Sequence, residues 1–153
     1  MSDSRSLYEK MILDHYKNPR NYGKIQAADK IVEAVNPLCG DTFTLYIMFN
    51  DDRINALQFT GSGCAISKAS ASLMTELLTG KSRHEANKIA DAFQEMLRTE
   101  PDAPIAEEEL GMLAAFAGVR EFPIRIKCAT LAWRALIRCF DDEKEGGDVA
   151  ATD

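Results

Sequence analysis

Thr42-Phe43-Thr44-Leu45-Tyr46-Ile47-Met48-Phe49 decides the fold. Phe43, Leu45, Ile47 and Phe49 point one way, and Thr42, Thr44, Tyr46 and Met48 the other. That period of two is a strand. Asn50-Asp51-Asp52-Arg53 is a polar turn, and Ile54 to Thr60 returns with Leu57 and Phe59 on one face. Upstream, Ile31 to Val35 is a short strand, joined to Thr42 by Asn36-Pro37-Leu38-Cys39-Gly40-Asp41. Three successive strands with short connections imply an antiparallel meander with one face packed against helices.

The helices fall on both sides of this meander in the sequence. Leu7 to Tyr16 carries Leu7, Tyr8, Met11, Ile12 and His15 at helical spacing, and Asn18-Pro19-Arg20-Asn21-Tyr22-Gly23 ends it. After Gly61-Ser62-Gly63, a helix starts near Cys64, with Ile66, Ala69, Leu73 and Leu77 as its apolar face and Gly80 at its end. Ser82-Arg83-His84-Glu85 is a capping box that opens a helix bearing Ala86, Ile89, Phe93, Met96 and Leu97. Thr99 to Pro104 is a linker. A helix is expected from about Ala106 to Ala117, with Leu110, Leu113, Ala114 and Ala117 inward and Gly118 at its end. A last helix runs from about Ile124 to Phe140. The fold class expected is therefore α+β: a three-stranded antiparallel sheet packed against several α-helices. One domain covers 1–140, and the acidic stretch 141–153 is expected to be a disordered tail.

The chain has 153 residues, enough for one domain, and a net charge of −6. An acidic chain without a basic block argues against nucleic-acid binding, which depends on neutralising phosphates. No apolar run approaches the roughly 20 residues that span a bilayer, and Met1-Ser2-Asp3-Ser4-Arg5 lacks the pattern of a secretory signal. A cytoplasmic location with no membrane partner is the expectation. Four cysteines in a reducing compartment are thiols or metal ligands before they are disulfides.

Three of these cysteines stand at element boundaries. Cys39 is two residues from Asp41 in a turn that Pro37 and Gly40 bend sharply. Cys64 stands at a helix N-terminus, where the dipole favours a thiolate. Cys128 lies in the first turns of the last helix, beside Arg125 and Lys127. A thiol and a carboxylate presented together suggest metal chemistry. Each cysteine alone is equally a common small core residue, and no Cys-x-x-Cys pair of the zinc-finger kind exists. Cys139, eleven residues after Cys128, lies about 16 Å further along the helix, too far to share an ion with it. His84 belongs to the capping box, and His15 is expected to be packed or hydrogen-bonded. Gly61-Ser62-Gly63 is too short for a phosphate loop and has no lysine. Glu107-Glu108-Glu109 in the first turn of a helix needs no explanation beyond the helix dipole.

Four separated motifs carry a resemblance. They are Asp14-His15-Tyr16-Lys17-Asn18-Pro19-Arg20-Asn21, Asn36-Pro37-Leu38-Cys39-Gly40-Asp41, Gly61-Ser62-Gly63-Cys64-Ala65-Ile66-Ser67 and Pro123-Ile124-Arg125-Ile126-Lys127-Cys128-Ala129-Thr130-Leu131-Ala132-Trp133. In this order they resemble the IscU/NifU-N/SufU superfamily of iron–sulfur cluster assembly proteins, from about Leu7 to Phe140. IscU-type scaffolds typically carry histidine before the last cysteine, where this chain has Lys127. That departure, and the extra stretch from about Thr99 to Gly118, are similar to the SufU branch.

The resemblance implies a zinc-dependent sulfurtransferase that accepts persulfide sulfur from a SufS-type, pyridoxal-phosphate-dependent cysteine desulfurase. Downstream iron–sulfur assembly proteins would be further partners. The implied zinc ligands are Cys39, Asp41, Cys64 and Cys128, with Cys39 as the sulfur acceptor. The residue types fit: three thiolates and one carboxylate make a tetrahedral Zn²⁺ site. A cysteine on a bendable turn can reach a partner, which one on a helix cannot do easily. Arg125 and Lys127 steady the sulfur, help to dock the partner or form a solvated cationic face. The alternative is an IscU-type scaffold that builds and passes on an iron–sulfur cluster. A small structural zinc domain is a third reading, which the dispersed ligands count against.

Overall fold

In the computed structural model, residues 2–141 and 149–152 are described, with side chains from 8 to 141. The alternating segment forms β2 (Asp41–Asn50), between β1 (Lys30–Asn36) and β3 (Arg53–Ser62). Both pairings are antiparallel, with Asn36 opposite Asp41 and Leu45 opposite Phe59. Phe43, Leu45 and Ile47 are fully buried, as their alternation requires, together with Val32, Ala34, Leu57 and Phe59 from the flanking strands. A register shift between Met48 and Phe49 interrupts the alternation, and Phe49 is left half-buried. Its ring instead packs under the Arg83 guanidinium, 4.0 Å from the ring centre.

The helices are α1 (Ser2–Lys17), α2 (Ala65–Leu78), α3 (Arg83–Arg98), the single turn α4 (Glu107–Leu110) and α5 (Pro123–Asp141). The capping box forms as read: Ser82 Oγ accepts from Glu85 N–H at 3.1 Å, and Glu85 Oε1 accepts from Ser82 N–H at 2.9 Å. Trp133 of α5 is fully buried, with its ring centre 5.1 Å from that of Phe93 of α3. Among the described residues, no helix is long and apolar enough to cross a membrane.

The loop after α1 is tied to α2 by polar groups. The His15 imidazole is buried, with Nδ1 2.7 Å from Ser72 Oγ. Arg20 N–H donates to the same hydroxyl at 2.8 Å, and Asn21 Nδ2 donates to Thr75 Oγ1 at 3.0 Å. These contacts account for much of the motif around Asp14–Asn21. They leave His15 packed, as expected.

Two expectations are corrected. The helix expected over 106–117 is α only for the four residues of α4. Gly111 then takes φ +57, and a 3₁₀ helix runs from Gly111 to Glu121, through Gly118. Three residues per turn aligns Leu113, Phe116 and Val119, which are buried together with Leu110. The α-helical reading missed Phe116 and Val119. Arg120 holds the preceding linker to this segment by donating to Thr99 Oγ1, Ala103 O and Pro101 O at 2.7, 3.1 and 2.9 Å.

The second correction concerns the stretch expected to be disordered. Residues 142–148 and 153 lie outside the described residues, but Val149–Thr152 forms β4, parallel to β1. The short run Val149–Thr152 pairs with the edge of β1 opposite β2. The sheet order is β3-β2-β1-β4.

Burial depresses the His15 pKa, Arg20 depresses it further, and Glu76 and Asp14 oppose. An unfolded histidine titrates near pH 6.5, at about the model-peptide value. Below that pH the unfolded chain binds a proton that the folded imidazole resists, so stability must fall as pH drops from 7.5 to 5.5. Urea denaturation at several pH values should show this slope, and His15→Gln should flatten it. An unchanged slope in the variant would show that His15 does not carry it.

Candidate metal centre

The β1–β2 connection is built around Asn36. Its side-chain oxygen accepts from Leu38 N–H at 3.1 Å, and its carbonyl accepts from Cys39 N–H and Gly40 N–H at 3.2 and 2.9 Å. Gly40 closes the turn at φ +75, a conformation that suits glycine. Cys39 is therefore held exposed at the turn's tip. Asp41, two residues on, opens β2 and is fully buried.

Asp41 Oδ1 accepts the Cys64 N–H at 3.0 Å, which ties the hairpin to the start of α2. Cys64 is the N-cap of that helix, and its sulfur accepts from Ser67 N–H at 3.4 Å. This approach needs the preceding glycines. A Cβ on Gly63 would stand 2.7 Å from Asp41 Oδ1 and 2.9 Å from the Phe43 ring, and one on Gly61 would strike the Thr42 carbonyl.

Cys128 arrives from α5 and is buried. Ser70 of α2 donates to the Ala129 carbonyl at 2.5 Å and accepts from Trp133 Nε1 at 3.0 Å. These bonds pin α5 to α2 one residue away from Cys128. The Cys128 thiol donates to Cys39 Sγ at 3.4 Å.

One ligand atom each from Cys39, Asp41 and Cys128 lies within 4.8 Å of the other two. Cys64 stands outside this triad but touches it twice, through its N–H on Asp41 and its thiol beside Cys128. The structure thus brings Cys39, Asp41 and Cys128 into one group of ligand size, with Cys64 joined to it through Asp41. His15 packs elsewhere on α2, His84 is exposed on α3, and Cys139 is buried in the core. Ser70, Trp133 and Gly63 were missed as parts of the site; only the glycine left a mark, in Gly61-Ser62-Gly63.

The donors suit a cation. Asp41 Oδ2 is buried with no hydrogen-bond partner, a costly state for a carboxylate oxygen unless a positive charge faces it. Burial pushes the Cys128 thiol far up from its usual range, and the neighbouring Cys39, Cys64 and Asp41 push it further. A cation among these groups would offset both penalties. Soft sulfur donors with one carboxylate match Zn²⁺ in type and number.

The family pattern described as the NifU-like N terminal domain matches residues 7–129. The chain belongs to this family. It is 43% identical over 136 residues to "Iron-sulfur cluster assembly scaffold protein IscU" of Streptococcus pyogenes, covering 89% of this chain and 84% of the relative. It is 42% identical over 144 residues to "Zinc-dependent sulfurtransferase SufU" of Bacillus subtilis, covering 94% and 95%. The structure of a putative iron–sulfur cluster assembly scaffold protein for the SUF system from Fervidobacterium islandicum superposes with TM-score 0.77 at 37% identity, covering 87% of this chain and 96% of that one. The α+β architecture is that of the IscU/NifU-like fold. These relatives divide between the two branches at nearly equal identity.

For this NifU-like domain, Gly63→Ala should lower Zn²⁺ affinity at least about tenfold, or 1.4 kcal/mol, because the new methyl displaces Asp41. Cys139→Ala should leave metal content unchanged. Competition titration with a chromophoric chelator measures both. Metal loss in Cys139→Ala, or wild-type affinity in Gly63→Ala, would contradict this geometry.

Proposed function

We propose that this chain serves iron–sulfur cluster assembly as a zinc-dependent sulfurtransferase, taking persulfide sulfur from a pyridoxal-phosphate-dependent cysteine desulfurase of the SufS type. The observation that carries the reading is the asymmetry within one site: Cys39 is exposed on a turn, while Cys128 and Asp41 are buried beside it. Zn²⁺ held by Cys39, Asp41, Cys64 and Cys128 would keep thiols deprotonated at neutral pH. A thiolate that attacks a partner's persulfide must be reachable; Cys39 and Cys64 are both exposed, and Cys39 is the acceptor because it sits on a turn while the Cys64 sulfur caps α2. Asp41 supplies an oxygen donor, which makes the site more labile than an all-sulfur one.

The partner's docking face on this reading includes Cys39 and the start of the helix that carries Cys128. Leu38 is 67% exposed beside Cys39, and Phe122 and Ile124 are 45% and 58% exposed just before Cys128. Large apolar side chains left to solvent beside Cys39 and at the start of α5 suit a protein partner. Arg125, stacked 4.4 Å from the centre of the Phe122 ring, adds a cation there.

The second reading is the IscU-type scaffold, on which a cluster is built and passed on. The same donors favour it, and so do relatives bearing that name. Lys127 in the place of the scaffold-type histidine, and the added 99–118 segment, favour the first.

An iron-free assay separates them. Zinc-loaded protein is mixed with the desulfurase, cysteine and a reductant, and alanine release is followed. Strong stimulation with extra sulfur on Cys39 is expected, and Cys39→Ala should abolish it while leaving the circular dichroism spectrum intact. Little stimulation, followed by a stable transferable cluster once iron is supplied, would favour the scaffold instead.

A further inference from the structure

Asn36 and Asp41 face each other across the first hairpin. They are directly opposed in the β1–β2 register, and opposed residues of an antiparallel pair lie on the same face of the sheet. Burial shows which face it is. Asn36 is buried in step with Val32 and Ala34, and Asp41 in step with Phe43 and Leu45. Each polar side chain is anchored through one oxygen: Asn36 Oδ1 accepts from Leu38 N–H, and Asp41 Oδ1 accepts from Cys64 N–H. The atoms left over, Asn36 Nδ2 and Asp41 Oδ2, are both buried without a hydrogen-bond partner. One is a donor and the other an acceptor. A buried amide that donates to nothing is costly, as is a bare carboxylate oxygen.

Resting on the reading of this site as a metal centre, we propose that Asn36 is a positioning residue for Asp41, donating through Nδ2 to the carboxylate when an ion is held. Each carboxylate oxygen has two lone pairs, so Oδ2 can face a cation with one and accept from Nδ2 with the other. Opposed Cβ atoms stand about 4.5–5.5 Å apart, so the two groups can meet by side-chain rotation alone. Carboxylates that bind metals are held by such outer hydrogen bonds, and removing one costs about 10–100-fold in affinity.

The same residue also builds the turn that carries Cys39, since Cys39 N–H and Gly40 N–H donate to its carbonyl. Asn36 thus sets the path of the exposed cysteine with its backbone and the direction of the buried carboxylate with its amide.

The test uses the full chain and Zn²⁺, with a chromophoric chelator as competitor. Asn36→Ala also removes the Leu38 contact, so a double-substitution cycle with Asp41→Ala isolates the part that runs through the carboxylate. Expected is a loss of affinity of at least about tenfold for Asn36→Ala alone, and of less than about threefold when it is added to Asp41→Ala. In isotope-labelled wild type, the Asn36 side-chain amide is identified by its loss in Asn36→Ala. Its nuclear magnetic resonance signal should move downfield, and its exchange with water should slow, on adding one equivalent of Zn²⁺. Should Asp41→Ala hold no measurable zinc, the amide signal decides. Equal losses in the two backgrounds, or an amide signal that zinc leaves unchanged, would overturn the proposal while leaving the metal centre intact. A wild type that binds no zinc would overturn both.

Discussion

Asp41 Oδ1 accepts the Cys64 N–H at 3.0 Å, and the arrangement of the candidate centre depends on that bond. It joins the first hairpin to the start of α2, two places 23 residues apart in the chain. It also fixes which carboxylate oxygen is left over. Oδ2 remains buried and unpartnered, on a carboxylate that has an oxygen within 4.8 Å of two sulfurs. A buried carboxylate with one satisfied oxygen and one bare one is stable only where a cation or proton can complete it. The glycines at 61 and 63 exist for the same bond, since any Cβ there would push the two segments apart.

The other half of the centre depends on the seam between α2 and α5. Ser70 links the Ala129 carbonyl to the Trp133 indole, all within the buried face of the two helices. Trp133 is in turn wedged against Phe93 of α3. The position of Cys128 is thus set by the core, whereas Cys39 is set only by a four-residue turn. The rigid cysteine and the adaptable one lie side by side, and the acceptor role proposed above uses that difference.

Much of this was legible in the chain. The alternation in Thr42–Phe49 and the polar turn after it define the meander, and Ser82 with Glu85 marks α3. The 3₁₀ segment was not legible as such: Leu110, Leu113, Phe116 and Val119 repeat every three residues, but a run that long is uncommon in 3₁₀ form, and the apolar neighbours Ala114 and Ala117 also fit an α-helix. β4 was hidden because the four residues Val149–Thr152 gain a strand's identity only from the edge they meet. For the site, Cys39, Asp41, Cys64 and Cys128 could be singled out at element boundaries and by resemblance. Their convergence could not be derived from spacing, because it depends on how α5 is docked by Ser70 and Trp133.

The central claim is that three cysteine sulfurs and the Asp41 carboxylate form one metal-binding set. Zinc-edge X-ray absorption on protein loaded with one equivalent of Zn²⁺ tests it most directly. The account predicts three sulfur scatterers at about 2.3 Å and one oxygen at about 2.0–2.2 Å, with the oxygen replaced or lost in Asp41→Ala. Two sulfurs or fewer in the wild type, or an imidazole scatterer in place of a thiolate, would contradict it.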